Sequence, residues 1–142
     1  MIAQQLGVEP VPMAGLREKS YGLADGEQQA WLDERFVPPP PTGDRMHHHE
    51  GVDGAETRHD FASRLYDALD LILASPCSRQ VIVTHGFALT FVVSGWIHLP
   101  LDSAGYVHMQ SSSGGITVLE EDDSFHNRTL LSLNDTSHLA GV

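Results

Sequence analysis

Apolar residues recur with helical spacing in the middle of the chain. Within residues 56–74 they are separated by four, four and three positions, at Phe61, Leu65, Leu69 and Ile72. This spacing places them on one face of a helix. Asp53 precedes Glu56 in an arrangement that resembles a helix cap, and the Ser75-Pro76 pair would end the helix. The pattern therefore predicts an amphipathic helix over 56–74.

A second apolar segment is interrupted by a histidine and a glycine, with a strand pattern before them and a helix pattern after them. Residues 80–84 contain three β-branched apolar residues in a row, and residues 86–99, which end before a proline, are largely apolar. Between them stand His85 and Gly86, so the pattern predicts a buried strand, a tight glycine turn and a helix. His85 would lie at the carboxyl end of a strand and beside a helix N-terminus, where α/β proteins bind ligands and helices attract anions.

The rest of the chain gives weaker patterns. Gly7 closes the end of a helix, residues 28–36 form a short helix, and the proline-rich residues 37–54 form a long loop. Residues 111–115 are a Ser-Ser-Ser-Gly-Gly run. We expect this run to form a hairpin turn, and a phosphate-binding nest is the less favoured alternative. Three further strands are expected, over 106–109, 116–120 and 128–133.

The composition of the chain limits the kinds of molecule that it is expected to bind. The chain has 142 residues and a formal net charge of −11, which suits a single domain over 1–142 and argues against nucleic acid and anionic membranes as partners. A small phosphorylated substrate stays compatible, and a homodimer is left open. Cys77 is the single cysteine, so no intrachain disulfide forms, and a cytoplasmic location is expected. The first residues lack the basic region of a signal peptide, and no apolar run is long enough to cross a bilayer.

Three short motifs carry a family resemblance. Residues 16–22 (LREKSYG), 54–57 (GAET) and 83–86 (VTHG), followed by the tail 134–139 (NDTSHL), resemble in order and spacing the histidine phosphatase superfamily, which has the phosphoglycerate mutase-like fold. The resemblance implies an α/β, three-layer sandwich with a mostly parallel sheet. It also implies a phosphoric monoester hydrolase that transfers a phosphoryl group to a histidine and then to water.

The resemblance assigns roles to particular residues. His85 matches the second histidine, which contacts the transferring phosphoryl oxygens, and Glu18 matches the glutamate that protonates the leaving oxygen. Gly86, Tyr21 and Lys19 match phosphate or substrate contacts, and no cofactor is implied. Lys19 stands where the mutases carry an arginine, and a lysine lacks the bidentate fork. A phosphomonoester phosphatase is therefore a better match than a mutase.

One part of the family pattern is missing. The family's acceptor histidine lies in an Arg-His-Gly motif, and this motif is absent from the 142 residues. The chain therefore resembles about the last two-thirds of a member and is expected to lack the first strand–helix unit. None of the remaining histidines that we considered stands at a strand–glycine turn, so none replaces the acceptor: His59, His108, His126 and His138.

Three hypotheses follow from this gap. The chain is an incomplete product of a phosphatase gene, a non-catalytic remnant (a pseudophosphatase) that binds a phosphorylated ligand or a protein partner, or half of a split enzyme completed by another chain.

Two other features of the sequence favour ordinary structural roles over functional ones. Residues 46–50 (MHHHE) form a solvated loop rather than a metal site, because adjacent residues point in different directions. Arg58 and Arg64 are expected to form surface ion pairs rather than ligand contacts.

Overall fold

A computed structural model of the chain describes residues 2–141. The helices and strands in this part of the chain are α1 Ile2–Leu6, α2 Gln29–Asp33, α3 Arg58–Leu73, α4 Gly86–Trp96, β1 Ile116–Glu121 and β2 Arg128–Asp135. Short 3₁₀ turns occupy Ala14–Leu16, Gly22–Ala24, Leu101–Tyr106 and Ser137–Leu139. Residues 37–54 contain neither helix nor strand, so the predicted long loop is confirmed. Gly7, with φ +65°, follows α1 as predicted.

Helix α3 begins later than the apolar spacing predicted, and its cap is a different residue. Thr57 is the N-cap, and its side-chain oxygen accepts a hydrogen bond from the Asp60 N–H at 3.1 Å. The predicted cap, Asp53, lies outside the helix. A threonine cap typically contributes about 1 kcal/mol by satisfying one of the N–H groups that the first turn leaves free.

The core lies between α3 and α4. Phe61 of α3 packs against Phe87 and Phe91 of α4, with ring centroids 5.3–5.4 Å apart, and Phe61 and Phe91 are fully buried. Helix α4 is buried along most of its length, which explains why its sequence is an almost continuous apolar run. The remaining large buried side chains of this core are Met46, Leu65, Leu69, Val92 and Trp96.

Strands β1 and β2 form an antiparallel pair whose register runs from Ile116 opposite Asp135 to Glu121 opposite Arg128. Both strands were predicted, and β2 extends beyond the predicted residues 128–133 to Asp135. Arg128 ties the pair to the core, since its Nη1 donates to the Trp96 carbonyl at 3.0 Å and its guanidinium lies 4.7 Å from the Trp96 ring centroid.

The prediction of a buried strand over 80–84 is wrong. Val81 and Val83 are 70% and 71% exposed, and the segment is extended chain without a ladder partner in the part of the chain that the structure describes. A strand needs a neighbour to accept its N–H and C=O groups, and β-branched residues do not replace that neighbour. The strand predicted over 106–109 is also absent, because the 3₁₀ turn runs to Tyr106 and a side chain, Thr90 Oγ1, takes the Met109 N–H at 3.0 Å.

The fold is α/β, but its sheet differs from the expected one. The sheet found in residues 2–141 has two antiparallel strands, whereas the resemblance implied a mostly parallel sheet between two helical layers. Residues 111–115 do not close the predicted hairpin; they lead into β1, and Ser112 N–H donates to Asn134 Oδ1 of β2 at 2.7 Å. None of the described helices combines the length and apolar character that a bilayer crossing requires.

Candidate active site

The three motif segments of the sequence meet at one place. Thr84 Oγ1 donates to the Leu16 carbonyl at 2.7 Å, which ties 83–86 to 16–22. Ser20 and Glu56 exchange two hydrogen bonds, from Ser20 N–H to Glu56 Oε2 at 2.8 Å and from Glu56 N–H to the Ser20 carbonyl at 3.0 Å. Tyr21 forms an isolated antiparallel bridge with Ala55. Segments that are far apart in sequence therefore form one cluster at the N-terminal end of α4.

Glu18 is fixed at the start of α4 by two backbone donors. Its Oε2 accepts the Phe87 N–H at 2.9 Å, and its Oε1 accepts the Lys19 N–H at 2.9 Å. Phe87 is the second residue of α4, so the carboxylate occupies one of the N–H groups that a helix leaves without an internal partner. A negative charge there is favoured by the helix dipole. The N–H that Glu18 binds belongs to Phe87, two residues after His85 in the chain.

His85 is the N-cap residue of α4, with extended backbone at φ −107° and ψ 172°. Its side chain is exposed and makes no capping hydrogen bond, so the imidazole is free to meet a ligand. Gly86 follows, and a Cβ added there would lie 3.0 Å from Ser111 Oγ. The serine run after 110 therefore reaches this turn, which the sequence did not reveal.

An ion pair outside the turn holds the Glu18 segment in place. Arg64 Nε and Nη2 donate to Glu56 Oε1 and Oε2 at 2.7 and 2.8 Å. These hydrogen bonds are the largest cause that lowers the pKa of Glu56 from 4.5 to about 2; burial opposes the shift, and the Ser20 N–H adds to it. The remaining Arg64 donors bind backbone carbonyls at 2.9–3.0 Å, namely those of Gly15, Arg17 and Glu18. Arg64 thus forms an ion pair as predicted, but the pair is partly buried and not on the surface, and it positions the segment that carries Glu18.

Lys19 is buried and paired. Its Nζ lies 2.6 Å from Glu50 Oε2 and 4.5 Å from the Tyr21 ring centroid, and its side chain is 1% exposed. A contact between Lys19 and a substrate would require this pair to open. The pKa of Tyr21 is raised, mainly by burial and then by the charges of Glu50 and Glu18. The roles of Lys19 and Tyr21 in substrate binding stay predictions.

Arg58 faces the same end of α4, and its surroundings differ from those of the expected surface ion pair. Its guanidinium lies 5.4 Å from the Phe87 ring centroid, and its Nη1 donates to the Gly105 carbonyl at 3.1 Å. Its Nε is buried, and within the described residues it has no hydrogen-bond partner. Burial is the largest cause that lowers its pKa, followed by the charge of Arg45. His108 is nearby, with its ring 6.4 Å from that of Phe87.

Comparison with known proteins shows the family of the chain. The sequence model of the histidine phosphatase superfamily (branch 1) matches residues 1–136, and the chain belongs to this superfamily. A solved structure described as "Mycobacterial hydrolase 1" aligns with a TM-score of 0.58 and 16% identity, over 94% of this chain and 69% of that chain. At this identity the likeness concerns the fold alone. No curated protein matches the chain.

Proposed function

We propose that this domain hydrolyses phosphomonoesters through a phosphohistidine, with His85 contacting the transferring phosphoryl group and Glu18 protonating the leaving oxygen. One observation carries the proposal: the Glu18 carboxylate is fixed by the Phe87 N–H, 2.9 Å away, at the helix end that His85 caps. Two groups with complementary roles in phosphoryl transfer thus share one turn.

The chemistry suits these groups. A transferring phosphoryl group spreads negative charge over its equatorial oxygens, so the protein mainly has to position it and supply donors. The exposed His85 imidazole and the first-turn N–H groups of α4 other than that of Phe87, which Glu18 binds, are such donors. The departing alkoxide needs a proton, which Glu18 can donate only when its carboxyl group is protonated, so in this proposal Glu18 takes up a proton before the leaving oxygen departs.

The acceptor histidine is the missing part of this proposal, because Arg-His-Gly does not occur in the 142 residues. We place the acceptor on a segment that pairs along residues 80–84. Val81 and Val83 support this placement because they are exposed and β-branched and lack a strand neighbour in the described structure. Pairing there would add the parallel strand that the expected three-layer sandwich requires. The segment could belong to the same polypeptide or to a second chain.

A non-catalytic protein is the second candidate, and the absence of Arg-His-Gly favours it. Such a protein would retain the turn at His85 and bind a phosphorylated ligand or a protein partner there. Both candidates use the same surface. They differ in whether a bond to phosphorus is broken.

Hydrolysis of an alkyl phosphate, β-glycerophosphate, followed by the release of inorganic phosphate, separates the two candidates, because its alkoxide leaving group needs the proton that Glu18 would supply. The protein is assayed alone and after co-expression with the segment encoded directly upstream, as wild type, His85→Ala and Glu18→Gln. His126→Ala is the control, because His126 lies in the exposed connection between β1 and β2. Turnover that His85→Ala abolishes and Glu18→Gln lowers about a hundredfold supports the enzyme. Phosphate binding that depends on His85, without turnover in either form, supports the non-catalytic protein.

A further inference from the structure

Two histidines and an aspartate from separate elements meet beside the first turn of α3. His47 belongs to the long loop, His59 is the second residue of α3, and Asp102 lies in the first turn of Leu101–Tyr106. One potential ligand atom from each residue lies within 4.8 Å of the other two. The imidazoles of His47 and His59 are stacked, with centroids 4.5 Å apart and planes inclined by 25°.

A fourth residue orients one of the histidines. Asp44 Oδ2 lies 3.0 Å from His47 Nδ1, while Asp44 Oδ1 accepts the N–H groups of Met46 and His47 at 2.9 and 3.1 Å. A carboxylate on one ring nitrogen is the usual outer partner of a histidine that binds a metal through its other nitrogen. His47 would therefore coordinate through Nε2.

We propose that His47, His59 and Asp102 bind one divalent transition-metal ion, with Zn²⁺ as the best match. Two imidazole nitrogens and one carboxylate oxygen form a ligand set that Zn²⁺ accepts, and three protein ligands leave a fourth position for water or another ligand. Donor atoms around a tetrahedral Zn²⁺ lie about 3.4 Å apart. The present separations, within 4.8 Å, must therefore close by at most about 1.4 Å. Asp102 is exposed and can rotate.

The charges around the cluster favour a cation despite the helix end. The positive end of the α3 dipole disfavours a bound cation. However, two N–H groups of the first turn already donate hydrogen bonds, that of His59 to the Met46 carbonyl and that of Asp60 to Thr57 Oγ1. Asp60 adds a carboxylate 3.6 Å from His59 Nδ1. The negative charges of Asp44, Asp60 and Asp102 together outweigh the partial positive charge at the N-terminal end of α3.

The cluster is different from the run of three histidines in the sequence. His48 Nε2 lies 2.9 Å from the Val37 carbonyl, and His49 Nδ1 accepts the Gly51 N–H at 3.1 Å. His47 is the member of the run that joins His59 and Asp102. His49 is therefore a matched control: it has the same chemistry two residues away, outside the proposed site.

Calorimetric titration of the untagged full chain with Zn²⁺ tests the proposal, because an affinity tag of histidines would mask it. One ion per chain is expected. His59→Ala and Asp102→Asn should each weaken binding by about tenfold or more, and Asp44→Asn by about tenfold through the loss of orientation. His49→Ala should change the affinity less than about twofold. The absorption spectrum of bound Co²⁺ should change in His59→Ala and stay unchanged in His49→Ala.

Three outcomes overturn the proposal. The wild type does not bind Zn²⁺; His59→Ala and Asp102→Asn bind it as the wild type does; or His49→Ala loses as much affinity as they do, which would assign the ion to the histidine run. Circular dichroism melts show whether each variant folds. Asp102→Asn keeps the test decisive if His59→Ala does not fold, because Asp102 is exposed and its replacement preserves the size of the side chain.

Discussion

Replacing Glu56 by glutamine tests whether one partly buried ion pair holds the Glu18 segment in place. Glutamine keeps the size of the side chain and one acceptor oxygen for Arg64, but it removes the charge. The Glu56 carboxylate pairs with Arg64 at 2.7 Å, and its side chain is 15% exposed. We expect Glu56→Gln to be destabilised at pH 7 and to lose this disadvantage in acid.

The pKa of Glu56 determines how much stability Glu56→Gln loses and how that loss changes with pH. A folded-state pKa of about 2 against an ordinary 4.5 corresponds to at most about 3 kcal/mol, which partial exposure to solvent reduces to about 1–2 kcal/mol. Because the folded pKa is the lower one, the full contribution is present above about pH 4.5. It is lost as the pH falls towards about 2, where the carboxylate is protonated in the folded protein as well.

Urea denaturation between pH 7 and pH 3, followed by tryptophan fluorescence, measures this contribution. Trp96 is 8% exposed and reports on the core. Glu34→Gln is the control: Glu34 also pairs with an arginine, at 3.1 Å, but its side chain is 74% exposed, so a change within about 0.5 kcal/mol is expected. A gap between wild type and Glu56→Gln that stays constant from pH 7 to pH 3 would refute the assignment to the charge of Glu56.

Three further substitutions probe the local structure by thermal or urea denaturation. Gly22→Ala should lower the free energy of unfolding by about 2 kcal/mol or more, because Gly22 has φ +56° and a Cβ there would overlap the backbone of 53–55. Gly26→Ala is the control, since Gly26 also has a positive φ, +92°, but open space around it. An equal loss of stability in both variants would contradict the overlap. Thr57→Ala should cost about 1 kcal/mol through loss of the α3 cap, and an unchanged midpoint would show that the cap contributes nothing. Lys19→Met should cost about 3–5 kcal/mol by leaving Glu50 buried without its cation, whereas adding Glu50→Leu should restore most of the stability; a double variant as unstable as the single one would refute this reasoning.

Periodicity and apolar runs located α3 and α4 because these helices bury their apolar faces. They also located the final strand pair, although none of its side chains is buried. The same reasoning failed at 80–84, where Val81 and Val83 follow a strand pattern but have no strand beside them in the described structure. A strand depends on its neighbour, and one segment does not contain that information. The ordered motifs predicted that Glu18 and His85 belong to one site. Glu18 binds the N–H of Phe87, two residues after His85, and the roles of the two side chains stay predictions.

The arrangement of charges around the site was harder to predict. Arg64 binds three backbone carbonyls whose positions depend on how the loop at 15–18 folds, and nothing in its local sequence indicates this. His47, His59 and Asp102 are spread over three elements and meet only because the long loop packs on α3. Such contacts are set by tertiary structure, so spacing along the chain did not reveal them.

Arg58 is a cation at the N-terminal end of α4 that pairs with no carboxylate among the described residues. Arg64 is committed to Glu56 and Lys19 to Glu50, whereas the buried Nε of Arg58 has no hydrogen-bond partner among the described residues. Arg58 also lies against Phe87, the residue whose N–H holds the Glu18 carboxylate. A charged hydrogen bond to a phosphate oxygen contributes about 1.5–3 kcal/mol.

Arg58→Lys should therefore raise the KM for p-nitrophenyl phosphate about tenfold or more, under conditions where the wild type hydrolyses it, with a smaller change in kcat. Arg128→Lys is the matched control, because Arg128 also lies over an aromatic ring and donates to a backbone carbonyl, but at the far end of α4, beside Trp96. Equal KM values for the two variants would assign Arg58 to packing against Phe87 rather than to the ligand. In that case the His85 imidazole and the end of α4 would have to meet the charge of the phosphate without help from this arginine.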